Sequence, residues 1–206
     1  MKNIAESFVE VAKEFGERPG IIEAKTGKTV TFAELNKRSD HYCGYFAEHG
    51  VSPADVVILM VTPSAEFICL TLALFKLGAT IVLIDPGMGY RNLLRCIERV
   101  RPQVMVAIPK ALAFSKVFPK PFRTVQRYFC CGNSLAVFGP DITKTATLAS
   151  SARVFQPDKD DLAAIIFTTG STGPPKGVRY EHSIFSAQRQ LIRDYYGIGA
   201  TDIDQP

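Results

Sequence analysis

Residues 167–178 read Phe-Thr-Thr-Gly-Ser-Thr-Gly-Pro-Pro-Lys-Gly-Val, which sets three glycines, four hydroxyls and one cation within twelve positions. That mixture suits a loop that wraps a polyphosphate. Glycine lets backbone amides close around an anion, Ser and Thr add hydroxyl donors, and a lysine adds positive charge. The apolar run Leu162-Ala163-Ala164-Ile165-Ile166 comes directly before it, so the loop is expected to open from the end of a buried strand.

Two common phosphate loops do not fit. The Walker pattern needs Lys and Ser/Thr directly after its second glycine, whereas Gly173 is followed by two prolines and Lys176 by Gly177. The dinucleotide pattern G-x-G-x-x-G fails on the spacing Gly170, Gly173, Gly177. Pro174 and Pro175 oppose a helix start, and the residues from Lys176 to Tyr180 suggest an extended exit. Phosphate would then be held by loop amides and hydroxyls rather than by a helix N-terminus.

The elements that must position this loop are legible upstream. Residues 56–60, 80–84, 103–108 and 162–167 are apolar without polar alternation, the mark of strands buried on both faces. Helices are expected over 3–15, from 31 to about 49, 64–77 and about 90–100. Thr31 with Glu34 forms a capping box, Ser64 is an N-cap, and Gly50 and Gly78 are stops. A short strand is expected at 19–24 and another at 125–130, and a helix at 183–196 stops at Gly197. Strands alternating with helices predict an α/β fold, a largely parallel sheet flanked by helices on both faces. The pattern loosens from 109 to 157. The organisation expected is therefore an α/β sheet region over 1–142, a loop or linker over 143–160, and the phosphate loop with its following helix over 161–206.

Composition narrows the class. With 206 residues, 47% hydrophobic and 21% charged, the chain is ordinary globular protein. Its net charge of +4 reads as spread along the chain. Arg91, Arg95, Arg99 and Arg101 form the densest basic cluster, read as a solvated helix face in preference to an acidic-ligand site. Without an arginine-rich block and interleaved aromatics, nucleic acid is not indicated. The five cysteines form no metal-ligand spacing. Cys69 and Cys96 read as buried apolar residues, while the adjacent Cys130 and Cys131 are either redox-active or the end of a strand. Free thiols and the polar start Met1-Lys2-Asn3 suit a cytoplasmic protein without a signal peptide. The apolar window 67–84 is broken by Lys76 and Gly78, and reads as a buried helix and strand rather than a transmembrane span.

Position by position, residues 167–178 resemble the glycine-rich loop of the adenylate-forming (AMP-binding) superfamily, which includes acyl-CoA synthetases and fatty-acid ligases. The family pattern is an aromatic residue followed by T-[ST]-G-[ST]-T-G-x-P-K-G-V. Eight fixed positions recur by chance in a chain this long with a probability on the order of 10⁻⁷. Asp161-Leu162-Ala163 matches the usual lead-in, His182 falls where the family usually has a histidine, and Thr31-Phe32-Ala33-Glu34-Leu35 resembles its T-[YF]-x-E-L segment.

The resemblance implies an ATP-dependent ligase in which a carboxylate attacks the α-phosphorus to give an acyl-adenylate and pyrophosphate. It implies that Thr168, Thr169, Ser171 and Thr172 donate hydroxyl or amide hydrogens to the phosphates. Gly170, Gly173 and Gly177 would admit them closely, and Lys176 would add charge. His182 is a candidate for the edge of the acyl pocket, or equally an ordinary helix entry. His41 and His49 read as surface residues. The adenine motif, the acidic residue for Mg²⁺, the ribose-binding aspartate and the catalytic lysine of the family all fall downstream, so Pro206 reads as the end of an N-terminal piece, inactive alone. The segment Leu83-Ile84-Asp85-Pro86-Gly87-Met88-Gly89-Tyr90-Arg91-Asn92-Leu93 resembles the branch acting on long-chain fatty acids, including the β-lactone-forming synthetases of olefin biosynthesis. Expected partners are ATP, a fatty acid or other carboxylate, CoA as one candidate acceptor, and the C-terminal part of the same protein. The alternatives are a nucleotide-binding module without catalysis and a structural domain with a vestigial loop.

Overall fold

A computed structural model describes residues 2–24, 26–133, 137–145, 153–168 and 175–204. At its centre is a six-stranded sheet in the order β6-β5-β3-β4-β7-β8. Its members are β3 (Val56–Met60), β4 (Thr80–Ile84), β5 (Val104–Ala107), β6 (Arg127–Cys130), β7 (Leu162–Thr168) and β8 (Lys176–Glu181). Five strands run parallel, and β8 pairs antiparallel to β7 at one edge. A two-stranded antiparallel ribbon, β1 (Pro19–Ile22) with β2 (Thr29–Thr31), lies outside this sheet.

The strands lack polar alternation because each successive side chain enters a different core. Val57, Leu59, Ile81, Val104 and Val106 join a cluster with residues of α2 (Phe32–Glu48) and α3 (Ala65–Leu77). Ile58, Val82, Met105 and Ala107 face the other way, onto α4 (Tyr90–Val100), α5 (Pro109–Val117) and Phe122. Leu70 and Leu74 of α3 are fully buried, and such burial contributes about 1.5–3 kcal/mol for each leucine.

The helix signals act as expected. Asn3 caps α1 (Ile4–Glu14), accepting from the Ala5 amide, and Thr31 and Glu34 close both halves of the capping box on α2. Ser64 accepts from the Phe67 amide to start α3, which ends at Gly78. Gly78 has φ +82, and a Cβ there would lie 2.4 Å from the Phe155 ring, so conformation and space both demand glycine. The final helix, α7 (His182–Tyr196), stops at Gly197.

Two elements differ from the sequence reading, and a third extends it. Residues 109–117 form α5 because Pro109 occupies its first turn, where proline is favourable, and Leu112 reaches the core. The extended exit after the loop is a full strand, β8, because β7 offers it a partner. β2 is three residues long and is a strand only through its mate β1, so it carries no periodic signal of its own. Within 143–160, α6 (Ile142–Thr145) is a single turn, and Phe155 returns to donate its amide to the Lys76 carbonyl.

All five cysteines are buried, and burial holds the Cys69 and Cys131 thiols up at about 12. Cys130 is the last residue of β6, so the pair ends a strand. No helix among the described residues is long and apolar enough to cross a membrane.

Among the described residues Lys76 is the fully buried lysine, enclosed between α2 and α3. Its ammonium donates to Asp40 Oδ1 and Ser39 Oγ at 2.7 Å and to Asn36 Oδ1 at 2.8 Å. Removing one member of such a set strands a charge that water cannot reach. We expect Asp40→Ala to destabilise the protein by about 2–3 kcal/mol, read as a lower urea midpoint at unchanged m-value.

Candidate functional site

The parallel strands all deliver their carboxyl ends to one edge of the sheet, where open α/β sheets bind ligands. The chain turns away from that edge in opposite directions after β3 and β5, because β3 leads to α3 on one face and β5 to α5 on the other. The gap left between those exits is a crevice of about 670 Å³. Its walls are chiefly apolar, among them Met60, Leu83, Ile84, Ile108, Phe114 and Phe167, with Thr62, Asp85 and Lys110 supplying the polar groups.

β7 and β8 place the phosphate-loop candidates. Thr168 pairs across the ladder with Lys176, and Phe167 with Gly177, so the two strand ends form the neck of a hairpin at the carboxyl edge. Thr168 and Lys176 are both exposed there. Thr169, Gly170, Ser171, Thr172 and Gly173 lie outside the described residues. A Cβ on Gly177 would come within 3.0 Å of the Phe167 ring and 3.2 Å of Ile165, so this glycine lets β8 close onto β7. Phe167 is also a wall of the crevice. Apolar space therefore runs up to the foot of the hairpin.

His182 lies elsewhere. β8 runs back along β7 until Glu181 faces Leu162, which carries the first residue of α7 to the amino end of the sheet. The six residues of β8 separate it from the hairpin neck, roughly 20 Å at about 3.3 Å per residue. It is buried, packs against Phe75, and its Nδ1 accepts the Ile4 amide at 3.2 Å. That bond puts the ring proton on Nε2, which meets no partner among the described residues. Of the other histidines, His49 is exposed and stacks on Tyr45, whereas His41 is half-buried.

Sequence reasoning passed over the crevice walls contributed by Val61, Thr62 and Pro63 after β3 and by Lys110 and Phe114 of α5. The available signal was positional, since each follows the carboxyl end of a strand. Among the described residues, no group of three or more His, Cys, Asp or Glu is placed to hold a metal ion.

Fold and crevice together define an open α/β sheet with its binding edge at the strand carboxyl ends. The sequence matches the AMP-binding enzyme family over residues 8–203, and the chain belongs to that family. It is 35% identical to an olefin beta-lactone synthetase of Stenotrophomonas maltophilia, over 99% of this chain and 39% of that protein. A second olefin beta-lactone synthetase, from Xanthomonas campestris pv. campestris, is 38% identical over 86% of this chain and 32% of its own length. The chain thus spans less than two fifths of either relative. In fold it resembles a long-chain-fatty-acid-CoA ligase from Archaeoglobus fulgidus, with a TM-score of 0.84 and 21% identity over 98% of this chain and 40% of that one. ATP-bound MatB from Rhodopseudomonas palustris superposes with a TM-score of 0.80 at 21% identity, over 95% of this chain and 38% of that one.

The burial of His182 has a measurable consequence. Desolvation holds its pKa below the ordinary value near 6.5, against an opposing pull from Asp161. The unfolded chain therefore takes up a proton there that the folded chain refuses. The contribution of His182 to stability is complete above pH 6.5 and falls progressively as the pH drops toward the folded pKa. Denaturant titrations at pH 7.5 and 5.5 should show lower stability at 5.5, and His182→Gln should flatten that difference.

Proposed function

We propose that this chain is the N-terminal portion of an ATP-dependent ligase that converts a fatty acid or other apolar carboxylate into an acyl-adenylate. One observation carries the reading: Thr168 and Lys176, the two ends of the hydroxyl–glycine–lysine sequence 168–177, pair at the carboxyl edge of a parallel sheet, beside apolar space. In the reaction a carboxylate oxygen bonds to the α-phosphorus of ATP, the bond to the bridging oxygen breaks, and pyrophosphate leaves. The loop is neither nucleophile nor base. Its amides and the hydroxyls of Thr168, Thr169, Ser171 and Thr172, with the Lys176 ammonium, stabilise the charge that builds on the departing phosphates. Gly170 and Gly173 admit those phosphates to the backbone, and Gly177 sets the width of the hairpin neck.

Mg²⁺ would supply charge neutralisation to the phosphates; the groups that hold it, and those that bind adenine, ribose and the acceptor, CoA or another, are expected in a C-terminal portion. His182 serves in this reading as the entry to α7 and an anchor for α1, not as a pocket wall. A cytoplasmic setting is consistent with five unpaired, buried thiols. The identity to two olefin beta-lactone synthetases favours a narrower reading, in which the parent protein is an enzyme of that kind.

The test has two arms. The chain alone should bind ATP by calorimetry, with Lys176→Ala and Thr172→Ala each weakening binding about tenfold or more. It should support no carboxylate-dependent pyrophosphate exchange until a C-terminal portion is joined to it. A joined protein that binds ATP yet stays inert across fatty acids would overturn the ligase reading and leave a nucleotide-binding module.

A further inference from the structure

The charge of this chain is not spread evenly. Residues 86–126 carry eight Lys/Arg and one carboxylate, Glu98, which leaves 16 Lys/Arg and 19 Asp/Glu in all the rest. The fold gathers that excess on one side, because α4, α5 and Phe122 all pack on the same face of the sheet. All eight cations are exposed. Arg91, Arg95 and Arg99 succeed one another at four-residue steps along α4, and therefore project from one side of the helix. The ion pair formed there among the described residues is a long one, Lys120 to Glu98 at 3.9 Å.

Apolar groups are set among these cations. Val117 is 69% exposed and Tyr90 54% exposed. Tyr90 stacks on Phe118 at 6.3 Å between centroids, Phe118 meets Phe114 at 4.9 Å, and Phe114 is a wall of the crevice. An aromatic series thus joins the crevice to the basic surface. Cations alone would suit any acidic partner, but exposed aromatic and aliphatic side chains between them, leading to apolar space, suit a lipid headgroup layer.

We propose that the α4–α5 face docks on an anionic phospholipid surface, with Tyr90 and Val117 entering the headgroup layer and the arginines and lysines facing lipid phosphates. The proposal rests on the ligase reading in one respect: docking this face would let an apolar carboxylate pass from the bilayer along Tyr90, Phe118 and Phe114 into the crevice.

The test is co-sedimentation of the chain with vesicles of phosphatidylcholine alone or with about 30% phosphatidylserine. Binding should need the anionic lipid, and should fall at least about tenfold between 0.1 M and 0.5 M salt. Arg95→Glu with Arg99→Glu should lower it at least about tenfold, and Val117→Asp should lower it while all charges on the helix face remain. Equal binding to both vesicle types, or undiminished binding by these variants, overturns the proposal. So does binding to polyglutamate without binding to vesicles, which assigns the face to an acidic protein. Because no nucleotide is present, intact vesicle binding beside failed pyrophosphate exchange would refute only the ligase reading. The converse would refute only the docking.

Discussion

The C-terminal turn of α3 is the point on which the arrangement of the sheet depends. A helix ends with carbonyls that its own amides cannot reach, and burial makes each a liability unless something donates to it. Here the donors come from parts of the chain far apart in sequence. Asn3 Nδ2 donates to the Phe75 carbonyl at 2.8 Å, the Phe155 amide to the Lys76 carbonyl at 2.7 Å, and the Ala54 amide to the Gly78 carbonyl at 2.9 Å. Asn3 Nδ2 also reaches the Phe155 carbonyl at 2.9 Å, tying two of these donors to each other. The buried Lys76 ammonium, favourably placed near the negative end of the helix, adds α2 to the junction.

That junction sets the register on which the crevice depends. Ala54 enters β3 and Ala79 leads into β4, so holding both to the end of α3 aligns two neighbouring strands at their amino ends. Five-residue strands of equal length then end together, and their exits make two sides of the crevice. The carboxyl edge is precise because the opposite edge is tied down. His182 belongs to this tied edge through its bond from Ile4, which accounts for its burial at a place remote from the hairpin neck.

What was legible in the sequence depends on how local each signal is. Ser64 and Gly78 bracket α3 because a cap and a left-handed stop act within one turn. Val56–Met60 and Thr80–Ile84 are visible because burial on both faces removes polar alternation. β8 was harder, since Lys-Gly-Val-Arg-Tyr-Glu is exposed along most of its length and is a strand by virtue of pairing with β7. α5 hid behind Pro109, which reads as a break unless the preceding strand is known to end there. The candidate site divides in the same way. Thr168 and Lys176 stand at the two ends of one recognisable loop, and their pairing comes from it. The crevice joins the ends of β3, β4, β5 and β7, and no window of sequence contains that meeting.

The position of the hairpin neck also bears on what this chain offers a ligand at the carboxyl edge of the sheet. A short loop needs a rigid base, and β7 supplies one, because its neighbour β4 and the core on the α4–α5 side hold Phe167 in place. Selecting a base or ordering an acceptor asks for walls on more than one side. The described chain has walls on the sheet side of the crevice. Its α7, facing outward with Leu191 at 69% and Tyr195 at 84% exposure, leaves apolar surface uncovered. A helix is stable with such a face only if its base is anchored, and α7 is anchored at His182, Tyr180 and Phe185, all at the end that meets the tied edge. The neck of the loop and the uncovered helix therefore share one scaffold, β7 with β8.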